Sequence, residues 1–382
     1  MNPEAFQAID SLILAAIADS ASPGVALAVG RRGKLVRLRG YGRLDWTEEA
    51  PPATPSTLWD MASLTKVTAT TMAAMILVEA GRLELDAPVV RYLPWWSAGD
   101  PRKESATVRQ LLLHRAGLPP FRTFYLEMEG KDAFRRAIAD LPLDYPPGES
   151  TVYSDIGLMT LAFIVEEITG RELDALLRDR VWGPLGMQDT GFLPDPSLLP
   201  RIAPTEVDTT FRFTHVHGVV HDENAFAMGG VAGHAGLFSS ARDMAVLAQA
   251  LLDGGVVPAC AGEPGSGVPC SAPRPGPVRV VSPTAVELFT RRHDSTASRA
   301  LGWDTPERGS SSGDFFSERA FGHTGFTGTS IWIDPELDLF VVFLTSRTNP
   351  TRANSKHVPL RRAIHDLVAQ AVTDHPVEKR KW

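Results

Sequence analysis

Trp59-Asp60-Met61-Ala62-Ser63-Leu64-Thr65-Lys66 places a hydroxyl and an amine three positions apart, where an amphipathic helix begins. Residues three apart on a helix share a face, so the amine can reach the hydroxyl and take its proton. A serine is a weak nucleophile until a neighbouring base does this. Of the seven lysines only Lys66 has a serine three residues before it. The bland alternative is a helix-capping serine followed by a lysine that snorkels to solvent. Two companions, Tyr153-Ser154-Asp155 and His323-Thr324-Gly325, give the pair its weight.

The helix expected from Ser63 to about Ala80, stopped by Gly81, carries Val67, Ala69, Met72, Ala73, Ile76 and Leu77 and so is largely buried. A buried lysine loses its proton more readily. Moving its pKa from about 10.4 to about 7 corresponds to roughly 4.6 kcal/mol. Tyr153 follows Pro146-Pro147-Gly148 in a loop that leads into an apolar helix. Near an ammonium, a tyrosine can be held as phenolate or relay a proton to a leaving group. His323-Thr324-Gly325 lies just before a β-branched strand, and Gly325 is expected to let a substrate approach the backbone. The amides of Phe326 and Ser63 form a candidate oxyanion hole, each donor worth about 2.7–4 kcal/mol in comparable sites.

The remaining chain is that of a globular protein. Its 382 residues are 43% apolar and 22% charged, with no run of eighteen apolar residues, which disfavours a membrane span. A net charge of −7 without a basic run disfavours a nucleic-acid surface. The N-terminus, Met1 to Asp10, reads as an amphipathic helix rather than a secretion signal, so the expected compartment is the cytoplasm. Cys260 and Cys270, in a Gly/Pro-rich stretch, are then expected to be two reduced surface thiols.

Alternating Val25-Ala26-Leu27-Ala28-Val29, a turn at Gly30–Gly33 and a run from Leu35 to Tyr41 give a hairpin signature. The middle is mostly helical: Thr107–Leu113, Lys131–Ile138, Ile156–Thr169, Glu172–Val181 and Ala241–Leu252. Residues 254–281 lack periodicity and read as a surface insertion. Strand-like runs return at Thr329–Ile333 and Leu339–Thr345, before a last helix over Leu360–Val372. The simplest α/β (α+β) architecture is an antiparallel sheet domain from 1–60 and 280–382, flanked by helices. A mainly helical domain, 61–279, is inserted between its halves, with the active site between the two.

The three elements together resemble the serine β-lactamase and penicillin-binding-protein superfamily, with its S-x-x-K, Tyr-x-Asn and Lys-Thr-Gly motifs. Class C β-lactamases and the esterases that share their fold are the nearest look. Thr107-Val108-Arg109-Gln110-Leu111-Leu112-Leu113-His114-Arg115-Ala116-Gly117-Leu118, Leu85-Asp86-Ala87-Pro88-Val89 and Gly233-His234-Ala235-Gly236-Leu237-Phe238 also match that family. The resemblance implies a β-lactamase/transpeptidase-like fold, Ser63 as acylated nucleophile, Lys66 and Tyr153 as general-base pair, and no metal or organic cofactor. His323, Thr324 and Gly325 would line the strand edge that faces a small-molecule ester or amide.

Two departures matter. Asp155 stands where the lactamases carry asparagine, and an ionised carboxylate accepts hydrogen bonds but donates none; it could instead pair with Lys66. His323 replaces the lysine of Lys-Thr-Gly and is mostly neutral near pH 7, which weakens the grip on a substrate carboxylate. Both changes favour neutral esters, with weak β-lactam hydrolysis; a D-amino-acid peptidase or amidase, or a DD-peptidase-like penicillin-binding protein, is the alternative. A metal site in His215, His217, His221 and His234 is the runner-up class, and a non-catalytic binding module the last. Gly309-Ser310-Ser311-Ser312-Gly313 matches a nucleophile elbow in letters, but in a polar loop. His114 reads as a structural histidine, Phe121, Phe124 and Tyr125 as a pocket roof, and Arg347 and Arg352 as solvated or carboxylate-facing.

Overall fold

The computed structural model describes residues 1–260, 270, 273, 275–294 and 297–381. Pro3 starts helix α1 (Pro3–Ala18), where a missing amide hydrogen is harmless, and Asn2 caps it by accepting from the Glu4 amide. The expected hairpin follows as strands β1 (Gly24–Arg31) and β2 (Lys34–Gly42). Next come the two-residue strand β3 (Trp59–Asp60) and, beyond the Ser63 turn, helix α2 (Thr71–Glu79). Helix α3 spans Asp155–Thr169, strand β4 Gly191–Phe192, strand β5 Leu237–Ser239 and helix α4 Ala241–Leu252. Strands β6 (Phe321–Thr324), β7 (Ser330–Asp334) and β8 (Leu339–Thr345) precede helix α5 (His357–Gln370).

The main sheet has the antiparallel order β6-β7-β8-β1-β2, so the two ends of the chain meet where β1 pairs with β8. Strand side chains alternate between faces, and β1 uses both. Val25, Leu27 and Val29 pack with Phe6, Ile9 and Ile13 of α1 and Leu360, Ile364 and Val368 of α5. Ala26 and Ala28 face the opposite core, shared with Met244, Leu247 and Leu251 of α4 and with the helical middle of the chain. Their small side chains let a helix lie close to the sheet. Because both faces are covered, β1 and β8 are buried along their whole length.

A second antiparallel sheet, β3-β5-β4, has strands of only two or three residues, too short for period-2 patterning to reveal. It anchors the segment that leads to Ser63. The insertion 254–281 opens and closes through an antiparallel pair, Val256–Val257 with Val278–Arg279; residues 261–269, 271, 272 and 274 of it lie outside the described residues. The expectation of two reduced thiols is overturned: Cys260 and Cys270 are joined in a disulfide, with Cα atoms 6.2 Å apart. The paired strands close the base of the segment, which keeps its two halves within bridging distance. No helix among the described residues is long and apolar enough to cross a membrane.

Candidate active site

Ser63 sits in a tight turn that the surrounding residues hold from several sides. Asp60, buried at the end of β3, accepts the Ala62 amide at 2.7 Å and the His221 amide at 2.6 Å. That Asx-type bond bends the chain ahead of the helix, and Ala62 takes the left-handed region at φ 46°. Thr327 and Thr329, from the turn after β6 and its far end, donate to the carbonyls of Asp60 and Met61 at 2.7 and 3.1 Å. On the other side Met61 donates to Leu237 of β5 at 2.9 Å. The helix expected from Ser63 begins with a wide π turn over Lys66–Thr70 before it becomes α2. Such turns recur at functional positions.

Lys66 is fully buried, and its ammonium is surrounded. Nζ donates to Ser63 Oγ at 2.9 Å and to the His234 carbonyl at 3.0 Å, and it lies 2.7 Å from Asp155 Oδ1. The last contact has ion-pair distance without hydrogen-bond alignment. Nζ is also 5.0 Å from the centre of the Tyr153 ring. The structure therefore brings Ser63, Lys66, Tyr153 and Asp155 together. It reverses the expectation that burial leaves Lys66 neutral. Burial pulls its pKa down, but Asp155 and then Tyr153 outweigh that pull and hold it above the ordinary lysine value. Tyr153 is likewise pushed up: burial, seconded by Asp155, prevails over Lys66, so the resting side chain is a phenol rather than a phenolate.

Helix α3 accounts for the placement of Tyr153 and Asp155. Ser154 caps it by accepting from Gly157 at 3.3 Å and donates to the Pro119 carbonyl at 2.7 Å. Asp155 thus falls in the first turn, where a carboxylate suits the helix dipole. His114 contributes more than a turn. Its Nδ1 accepts the Ser154 amide at 3.1 Å, and its ring packs 4.6 Å from that of Tyr153. On the far side the His323 ring stands 5.9 Å from Tyr153, and the Arg299 guanidinium lies 5.2 Å from the ring centre. Burial and the nearby cations keep both histidines far below the ordinary pKa, so each is neutral.

The phenol-side strand differs in detail from the sequence reading. His323 and Thr324 end β6 itself, with the expected strand following as β7, and His323 Nδ1 donates to the Thr324 carbonyl at 2.8 Å. Gly325 does not simply clear room for a substrate. A Cβ there would lie 2.6 Å from the Met61 carbonyl oxygen, so the glycine lets this turn pack on the Ser63 segment. Phe326 is 49% exposed yet held: His221 stacks at 5.6 Å, Arg347 lies 4.3 Å over its ring, and Arg347 Nε donates to its carbonyl at 2.7 Å. Among the described residues no carbonyl takes the amide of Ser63 or of Phe326.

Two cavities open on Ser63. One, of about 310 Å³, is lined by Phe121, Tyr153, Asp155, Asp222, Glu223 and Phe326 among others. Only Phe121 of the expected roof reaches it; Phe124 packs on Phe134 and Tyr125 on Phe211. The other, of about 490 Å³, is lined by Arg299, His323, Arg347, His357 and Arg361 with Ser63 and Tyr153. Arg352 is spent on Glu206 and Glu223, and Arg299 on Asp304. Neither Arg347 nor Arg361 makes an ion pair among the described residues, although Asp304, paired with Arg299, lines the same cavity. Arg361 is pushed down to about 10, chiefly by burial and also by Arg347. Burial and these arginines push His357 down to about 3. Arg361 was legible in principle: His357, Arg361 and His365 form a basic i, i+4 stripe beside the apolar stripe of α5.

The remaining candidates have other occupations. His217 meets the Ile202 carbonyl, His221 meets Glu206 and His234 meets Asp222. Among the described residues no three His, Cys, Asp or Glu are grouped to hold a metal ion. Ser311 of the elbow-like run accepts from Trp332, and Ser310 and Ser312 bond each other.

The fold is β-lactamase/transpeptidase-like, and it sets the Ser63 hydroxyl beside a buried amine and a phenol, the arrangement that serine hydrolases use. The chain belongs to the Beta-lactamase family, whose model matches residues 9–366. It is 34% identical over 374 residues to a "Putative D-alanyl-D-alanine carboxypeptidase" of Salmonella schwarzengrund, covering 89% of this chain and 82% of that protein. Solved structures of similar fold include "EstCE1, a hydrolase with promiscuous acyltransferase activity", with TM-score 0.74, 21% identity and 96% and 98% of the two chains covered. A class C β-lactamase from Rhodobacter sphaeroides aligns with TM-score 0.70 at 21% identity over 95% and 99%.

Proposed function

We propose that the protein hydrolyses acyl compounds through a covalent acyl-Ser63 intermediate, and that its preferred substrates carry a carboxylate on the leaving side. The observation that carries the first part is the 2.9 Å bond between the fully buried Lys66 Nζ and Ser63 Oγ, beside Asp155. Ser63 attacks the carbonyl carbon and its proton is taken up within the Lys66–Tyr153–Asp155 cluster. The amides of Ser63 and Phe326 receive the oxyanion, and Tyr153 protonates the leaving group. Water then releases the acid by the same route in reverse.

The cavity holding Arg347 and Arg361 carries the second part. From sequence, Asp155 and a neutral His323 pointed to neutral esters; two arginines without ion-pair partners supply positive charge in a cavity that also opens on Ser63. Buried unpaired cations favour an anionic ligand. Peptides ending in D-alanyl-D-alanine fit this chemistry, in keeping with the name of the Salmonella relative. Carboxylic esters remain substrates of the same machinery, with neutral esters the second reading because His323 is uncharged.

A panel of a p-nitrophenyl ester, nitrocefin and an acyl-D-alanyl-D-alanine peptide tests the assignment. The peptide is expected to show the highest kcat/KM. Arg361→Met, which keeps bulk and removes charge, should lower the ratio of peptide to neutral-ester kcat/KM about 10–100-fold, the value of a charged hydrogen bond. A ratio unmoved by that change, with the ester hydrolysed faster throughout, would establish the neutral-ester reading instead.

A further inference from the structure

At rest the site holds an ammonium on Lys66 and a phenol on Tyr153, and neither can take the proton that Ser63 must lose. The acceptor nearest to Lys66 is Asp155, 2.7 Å away on the first turn of α3. Its side chain is 19% exposed and lines the 310 Å³ cavity on which Ser63 opens. An asparagine at this position could accept no proton.

We propose that Asp155 stores the Ser63 proton: as Oγ bonds to the acyl carbon, the hydroxyl proton moves to Lys66 Nζ and one of the lysine's own protons moves to Asp155 Oδ1. This rests on the acyl-serine reading above. After attack, Lys66 is still an ammonium, Asp155 is a neutral acid, and the one new negative charge sits on the substrate oxygen. When the oxyanion collapses and the leaving group departs, Tyr153 gives it a proton. Lys66 restores the phenol and Asp155 restores Lys66. The net transfer is one proton from Ser63 to the leaving group, and every side chain regains its starting form.

The other charged and titratable groups facing this cluster do not replace Asp155. His234 presents its backbone carbonyl to Lys66, not its ring. His114 and His323 flank Tyr153 and are kept neutral by burial and by Arg299 and Lys66. Asp222 is held ionised, burial being overcome by its pairing with His234, and its 2.9 Å bond is to that ring.

The sign of the pH effect follows. In the native chain Lys66 keeps its charge throughout because Asp155 takes up the proton, so no amine ionisation limits kcat/KM. In Asp155→Asn the lysine itself must be unprotonated, so activity falls on acidification through an amine ionisation.

The experiment measures kcat/KM for a p-nitrophenyl ester against pH for the full chain, Asp155→Asn and Asp155→Glu, each first checked for native thermal melting. Labelling of Ser63 by a fluorophosphonate, read by intact mass, tests the acyl-serine reading separately. The expected result is an acid limb displaced upward by about one pH unit or more in Asp155→Asn, which is about a tenfold loss or greater at the wild-type limb. Asp155→Glu should return the limb toward its native position. An Asp155→Asn chain with the native pH profile overturns the proposal. So does equal loss at every pH in both variants while Ser63 still labels, because that marks packing rather than proton acceptance.

Discussion

Ser63→Ala lowers kcat/KM for a p-nitrophenyl ester by about 10⁴-fold or more, the scale seen when a nucleophile is removed from a site that acts as a unit. Among the described residues no other serine or threonine lines both cavities that open on Ser63 and Tyr153. The hydroxyl's role in stability is small. It accepts one bond from Lys66, which keeps the His234 carbonyl and Asp155 as partners when Oγ is gone. Melting is therefore expected to change by no more than the effect of about 0.5 kcal/mol typical of surface substitutions. Full retention of esterase activity by the alanine variant would end the acyl-serine assignment, whatever the substrate class.

The parts of this site that the sequence made legible are local. Ser63 and Lys66 lie one helical turn apart, and that spacing survives the π turn because it precedes the distortion. The alternation of Val25–Val29 announced β1, and the apolar period of Ala241–Leu252 gave α4 with the bounds it has in the structure. What the sequence left out is what depends on distant partners. The expectation of a neutral Lys66 counted its burial but not Asp155, a counterion brought in by α3 from far along the chain. The preference for neutral esters weighed Asp155 and His323 but not Arg361, which α5 brings to the cleft. Strands β3, β4 and β5 are too short to show a period, yet they anchor the nucleophile turn.

Gly325 has a packing partner that the sequence did not reveal, the Met61 carbonyl, and it yields the second large effect. Gly325→Ala would set a Cβ 2.1 Å from Thr329 Oγ1, 2.6 Å from the Met61 carbonyl oxygen and 3.4 Å from the Ala62 Cβ. Thr329 could rotate away, but the Met61 carbonyl is backbone and already accepts that hydroxyl at 3.1 Å. The turn after β6 must then separate from the Ser63 segment, carrying Phe326 and its amide with it. Overpacking of this kind costs about 1–3 kcal/mol, and a displacement near 1 Å at a reacting centre lowers turnover by roughly 100-fold. Both should appear together: a lower melting temperature, and a kcat loss far exceeding any change in KM. Gly325→Ala combined with Thr329→Ala relieves the nearest clash but leaves the Met61 contact, so it should recover part of the stability and little of kcat. If Gly325→Ala alone keeps kcat within about threefold of native, the separation of Phe326 from Ser63 is not what orients the oxyanion donors, and that role must pass to other amides.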